Sequence, residues 1–121
     1  MKTSDLTGAE LDAWVAKALG YKSDPDFDAV KNHEGYWVGE GTFIAKYRFQ
    51  PSTNWSQGGP LIEKYKVSID ANAGEWLAMV DCSFGVGTGP YDAETYIGPT
   101  PLIAAMRAIV ASVFGENVNE Q

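Results

Sequence analysis

The stretch Thr42-Phe43-Ile44-Ala45-Lys46-Tyr47-Arg48-Phe49 alternates well. Phe43, Ala45, Tyr47 and Phe49 share one face and Thr42, Ile44, Lys46 and Arg48 the other, which is the period of a half-buried strand. After Pro51-Ser52-Thr53-Asn54-Trp55-Ser56-Gln57-Gly58-Gly59-Pro60, read as a loop, a second strand is predicted over 61–70. Its odd positions (Leu61, Glu63, Tyr65, Val67, Ile69) are mostly apolar and its even ones (Ile62, Lys64, Lys66, Ser68) mostly polar. Asp70-Ala71-Asn72-Ala73-Gly74 supplies a turn, and Trp76 to Phe84 reads as a third strand with weaker alternation. Three strands joined this way imply an antiparallel meander. The register then sends Lys46, Arg48, Lys64 and Lys66 out from one sheet face. Two readings stand for that cluster: an attractor for an anion, or ordinary solubility lysines and arginine.

A helix is expected on each side of the strands. Thr7-Gly8-Ala9-Glu10 has the spacing of a capping box, Leu11, Trp14, Val15 and Ala18 recur at helical intervals, and Gly20 supplies a left-handed stop. Trp14 sits mid-stripe and reads as a core anchor. At the other end Thr100 caps, Pro101 opens and Gly115 closes a helix over 101–114. Within it Arg107 is the single charge. Leu102, Ile103, Met106, Ile109, Val110 and Val113 form one face, and Ala104, Ala105, Ala108 and Ala111 the other. An uncharged alanine face is not a normal solvated surface, so this helix is either sandwiched inside the fold or packed on another subunit, a homo-oligomeric contact. Residues 21–41, interrupted by glycines, read as loop or irregular strand, and 85–99 as a long loop. The expectation is a single α+β domain over 1–121 in the order α-β-β-β-α, with an antiparallel sheet, both helices on one face and a frayed tail over 116–121.

Composition narrows the function classes. A chain of 121 residues and 13.1 kDa is the size of one domain and buries roughly two-thirds of its unfolded surface. No apolar run approaches the roughly 18 residues of a membrane span, and the Met1-Lys2-Thr3-Ser4-Asp5 opening is no secretory leader, so a cytoplasmic location without membrane contact is expected. One cysteine, Cys82, and one histidine, His33, make neither an internal disulfide nor a structural zinc site; no cofactor is expected. The net charge is −7, but unevenly spread: residues 1–40 carry eight acids and four bases, 41–75 three and four, and 76–121 five and one. Acid lies at the two ends. Nucleic-acid polymers, which require a clustered basic footprint, are not expected partners.

Catalytic signatures are missing. A serine or thiol nucleophile requires a base within hydrogen-bond reach, and His33 is the sole histidine; there is no Gly-x-Ser-x-Gly elbow, and Cys82 falls in a predicted strand as a small apolar residue. Asp24, Asp26 and Asp28 lack the glycine and closing glutamate of a calcium loop and read as a solvated turn. Gly85-Val86-Gly87-Thr88-Gly89-Pro90 matches phosphate loops in glycine density alone. Thr100 at a helix start either faces an anion or caps its own helix. Trp55, with Asn54, Ser56 and Gln57, either stacks on a ligand ring or closes over the core.

Asn54-Trp55-Ser56-Gln57-Gly58-Gly59-Pro60-Leu61-Ile62-Glu63, Gly98-Pro99-Thr100-Pro101-Leu102-Ile103-Ala104-Ala105-Met106-Arg107 and the Leu6 to Ala18 opening together cover about half of the chain. They resemble the small NinX-like phage and prophage proteins. The motifs name no chemistry. The resemblance implies a phage-encoded accessory protein acting inside the bacterial host cell. The leading expectation is non-enzymatic binding of a small, nucleotide-like anion that is thereby sequestered, an anti-defence role, at Asn54, Trp55, Gln57, Thr100, Arg107, Lys46, Arg48, Lys64 and Lys66. An acidic inhibitor that meets a basic host protein through the charged ends is the alternative, and a hydrolase centred on His33 the third.

Overall fold

A computed structural model of the chain describes residues 1–28, 33–38, 42–80 and 95–118. After a short 3-10 turn at Thr3–Asp5 come α1 (Gly8–Ala18), β1 (Lys22–Asp28), β2 (His33–Trp37) and β3 (Phe43–Ala45). They are followed by α2 (Trp55–Tyr65), β4 (Val67–Asn72), β5 (Glu75–Val80), β6 (Tyr96–Gly98) and α3 (Pro101–Phe114). The expected α+β class and antiparallel pairing are present. The strands form two three-stranded sheets, β1-β2-β3 and β4-β5-β6, antiparallel throughout, rather than a single sheet. β1 is an edge strand with an irregular register, which is where Pro25 can be held, since proline has no N–H for a central ladder.

The outer helices lie where their caps put them. Thr100 Oγ1 accepts the Ile103 N–H at 3.1 Å, Pro101 opens α3, and Gly115 follows its last residue. α1 begins after Thr7 and its chain turns off at Gly20, φ 81°. The capping-box hydroxyl bond is not made, however: Thr7 caps through extended backbone geometry, with no side-chain bond.

The middle of the chain departs from the sequence reading. Residues 55–65 are helix α2, not loop followed by strand. Asn54 caps it, its Oδ1 accepting the Ser56 N–H at 2.9 Å and the Ser56 hydroxyl at 2.6 Å. Leu61 and Tyr65 satisfy period 2 and also the i, i+4 spacing of a helix; with Ile62 they pack on the core from α2. Lys66 then adopts the left-handed conformation, φ 53°, and the period switches to that of β4. Likewise the strand predicted over 42–49 ends at Ala45, and Lys46–Arg48 form a 3-10 turn. Phe49 and Ala45 are buried as expected, but Tyr47 is 56% exposed and is no core residue. Lys46 and Arg48 therefore sit on a turn, Lys64 on α2 and Lys66 at its end; the basic sheet face does not exist.

α3 resolves the question that its composition raised. Leu102, Met106, Ile109 and Val110 are buried on one side, and Ala104, Ala105 and Ala108 on the other, all at 3% exposure or less. The helix packs against α1, α2, β4, β5 and β6. The alanine face offered for a subunit contact is covered by the chain itself. Close approach explains it: a Cβ on Gly98 would lie 2.6 Å from the Ala104 backbone nitrogen, and one on Gly58 would lie 2.5 Å from the Pro51 carbonyl oxygen and 2.6 Å from the Leu102 side chain.

The tail is pinned over residues 116–118, not frayed. Lys2 bridges Asn117, the Val118 N–H donates to the Met1 carbonyl at 2.9 Å, and Thr3 Oγ1, fully buried, donates to the Gly115 carbonyl at 2.7 Å. Val118 is 3% exposed and belongs to the core cluster. Cys82, the continuation of the third predicted strand past Val80, the 85–90 glycine segment and residues 119–121 lie outside the described residues.

Asp12 fastens α1 to the turn before α2. Its Oδ1 accepts the Ser52 N–H at 2.9 Å in a buried position, and Ser52 Oγ, also buried, has no hydrogen-bond partner among the described residues. Burial pushes the Asp12 carboxyl up, against the opposing pull of the Ser52 hydroxyl and amide dipoles.

Two expectations follow from this packing. Gly58→Ala is expected to destabilise the protein by about 1–3 kcal/mol, because backbone rather than a flexible side-chain end blocks the added methyl. Its neighbour Gly59, with nothing within 4 Å of a Cβ, is expected to gain about 0.5–1 kcal/mol on change to alanine, and urea denaturation of both variants reads the contrast. For Asp12 the folded state holds the proton more tightly than the unfolded chain. Its contribution is greatest below the unfolded carboxylate pKa and is lost as pH rises through the folded one. Asp12→Asn, which keeps an acceptor for Ser52, is therefore expected to gain stability relative to the wild type as pH rises from about 3 to about 7 in denaturation series. A difference independent of pH would refute the assignment.

Candidate functional site

Arg107 projects from the middle of α3 and is only 9% exposed. Its Nε donates to the Leu6 carbonyl at 2.9 Å and its Nη1 to the Ile97 carbonyl at 2.6 Å. One guanidinium thus joins the approach to α1, the edge strand β6 and the last helix. A guanidinium has five N–H donors, and among the described residues these two bonds are the only ones that it makes, with no ion pair. Burial pulls its pKa down while the charge of Asp5 pulls it up; an arginine nonetheless remains protonated at neutral pH.

The guanidinium lines an open cleft of about 630 Å³ together with Lys2, Ser4, Thr95, Ile97 and Glu116. Two cations and one carboxylate leave the described wall net positive in a chain of net charge −7. Lys2 is brought here by its bridge to Asn117, which lines the same cleft. The arrangement is suited to holding an anion: a rigid, partly desolvated fork from the core and a mobile ammonium at the rim.

Asn117 also lines a second groove, of about 640 Å³, whose other walls are Trp14, Lys17, Tyr21, Phe114 and Val118. Trp14 and Phe114 meet edge to face with centroids 5.3 Å apart, and Lys17 Nζ lies 4.0 Å from the Trp14 ring centroid. Trp14 is buried, as the helical stripe foretold, whereas Phe114 is 39% exposed. Burial pushes the Tyr21 phenol up, so its hydroxyl is neutral at ordinary pH.

Of the nine residues singled out in the sequence, Arg107 is the one that lines this cleft. Asn54 and Thr100 spend their side chains as helix caps. Gln57 ties α2 to the preceding turn: its Nε2 donates to the Arg48 carbonyl at 2.8 Å, and its Oε1 accepts the Gln50 N–H at 2.7 Å. Trp55 is 55% exposed at the start of α2, so it does not close over the core. Lys64 Nζ approaches the Tyr65 ring at 5.7 Å, and Arg48 the Tyr47 ring at 5.8 Å. Lys46 and Lys66 belong to the turn and the helix end already described. His33 opens β2, and its side chain, like those of Asp24, Asp26 and Asp28, lies outside the described set.

Lys2, Ser4 and Asn117 were not foreseen. Nothing in a sequence read as two polar ends shows that they meet across a backbone bridge. Among the described residues there is no group of three or more His, Cys, Asp or Glu side chains placed to hold a metal ion. No helix there is long and apolar enough to cross a membrane.

No curated protein matches the chain. The family model described as Bacteriophage P22, NinX does match it, over residues 2–113, a span that takes in α1, both sheets, α2 and α3 as far as Val113; the chain belongs to that family.

Proposed function

We propose that this phage protein acts by binding a small anion, of the size and charge of a nucleotide or its phosphate portion, and not by chemistry on it. The observation that carries the reading is Arg107: a core guanidinium held by two carbonyls, unpaired with any carboxylate among the described residues, and facing a cleft that a second cation also lines. Burying a charge this way is costly unless something offsets it, and two neutral carbonyls offset it less than a phosphate or carboxylate does. Lys2 supplies a second positive centre, and Ser4 and Thr95 supply hydroxyls around it.

Sequestration of such an anion inside the infected cell is the role that this chemistry fits within a phage family, since retention needs no leaving group, base or metal. Relative to the sequence reading, the site moves from the Trp55 segment and the basic strands to the interior face of α3.

Titration calorimetry with inorganic phosphate, pyrophosphate and nucleoside monophosphates tests the reading. Binding is expected to weaken with added salt and to fall about fivefold to tenfold in Lys2→Glu, the effect of reversing one partly screened charge. Lys2 is exposed, so this variant is expected to fold. Absence of heat from every one of these anions, on protein shown to be folded by circular dichroism, would discard the proposal.

A further inference from the structure

The two clefts share Asn117 as a common wall residue, and they differ in character. One presents Arg107 and Lys2; the other presents aromatic rings, of which Phe114 is the exposed one. Arg107 and Phe114 are seven positions apart on α3, hence on one helix face and separated by about 10 Å along its axis. Each cleft falls in the size range of roughly 300–1,000 Å³ that small-molecule sites occupy. Phosphate alone fills neither.

From this placement we infer that the two clefts are halves of one site for a nucleoside monophosphate, with the phosphate at Arg107 and Lys2, the base against Phe114, and the sugar passing Asn117. The inference rests on the anion reading above and adds the ligand's second half.

Several features favour this occupant over a bare anion or an apolar one. Aromatic side chains stack on any base face, and Phe114, 39% exposed where it lines the groove, has ring surface to offer. Trp14 is buried, with the Lys17 ammonium 4.0 Å from its ring centroid, so it backs Phe114 rather than serving as the stacking ring. Between the two halves the lining is polar: Asn117 carries an amide that both donates and accepts, and Ser4 lies on the phosphate side. That sequence of cation, hydrogen-bonding groups and ring follows the order of phosphate, sugar and base along a nucleotide. The −7 net charge and the acidic ends disfavour a long nucleic-acid strand at the same place, because each further phosphate adds repulsion without a further cation to meet it.

The test compares adenosine 5′-monophosphate with inorganic phosphate by calorimetry on the full chain. The wild type is expected to bind the nucleotide at least about fivefold more tightly than phosphate, the contribution of one stacked base. Phe114→Leu, which keeps an apolar side chain but no ring, is expected to bring the nucleotide down to the affinity of phosphate while leaving phosphate binding unchanged. Phe114→Tyr, which restores a ring, is expected to keep the advantage. Equal affinity of the wild type for the two ligands, or an advantage that survives in Phe114→Leu, overturns the two-part site and leaves the anion reading standing. Loss of the advantage in both Phe114 variants also overturns it, since the ring would then not be the cause. Failure of both ligands to bind the wild type overturns the anion reading itself. A wild-type ratio near one overturns the two-part site even where Phe114→Leu disturbs folding.

Discussion

A helix with apolar side chains on every side has to be covered on every side, and over residues 102–110 α3 is such a helix, buried at all positions but Ile103. Met106, Ile109, Val110, Ala104 and Ala105 are all fully buried. Each Å² of apolar surface that they remove from water is worth roughly 25 cal/mol. The rest of the molecule is arranged around it: α1 on one flank, β4, β5 and β6 on another, α2 across its first turns. Small residues set the distances. Alanines on α3 let the strands approach, and Gly98 and Gly58 give up their side chains where β6 and α2 come closest. Adding a methyl at those points costs more than the intrinsic helix propensity that alanine would return to α2, so glycine persists inside a helix there.

Placing the one charge of α3 in that interior has a structural consequence and a chemical one. Arg107 bonds to carbonyls of Leu6 and Ile97, which lie far apart in sequence, so it fixes the N-terminal segment and the edge strand to the same helix face. That brings Lys2 and, through its bridge, Asn117 to the mouth of the cleft. Carbonyl dipoles orient the guanidinium but do not neutralise it. The clamp that assembles the ends thereby leaves a cation at the surface of a cleft.

The sequence was most legible where local signals agreed. Thr100, Pro101 and Gly115 fix α3 from both ends, and the apolar stripe of α1 needs only its own spacing to be recognised. It was least legible at Leu61, Ile62 and Tyr65, which fit a strand and a helix equally, beside glycines and a proline that argue locally for a loop. The helix brings Gly58 under Leu102, a contact between parts of the chain 44 residues apart that no local signal announces. Tyr47 shows the same limit, because alternation cannot reveal that the strand stops at Ala45. Arg107 could be picked out as the lone charge of an apolar helix, but the partners that make it a site could not, since their meeting depends on the bridge between the two ends.

The acidity of the chain and the anion proposed for its cleft are reconciled by range. At physiological ionic strength the screening length is about 8 Å, so exposed carboxylates more than one such length away act weakly on a bound anion. A guanidinium in contact with the anion acts through a partly desolvated medium, where one unit pair at 4 Å is worth about 4 kcal/mol at an effective dielectric constant of 20. Among the described residues Glu116 on the wall and Asp5 nearby are the acids close enough to subtract from that, and Lys2 opposes them. On the proposed reading the near charges set what the cleft would hold. The far ones would act against an extended polyanion, which meets more of the chain's excess acid than a single phosphate does. On the proposed reading, a cleft of this kind in a chain of this charge would favour short anions over long ones without any group dedicated to that choice.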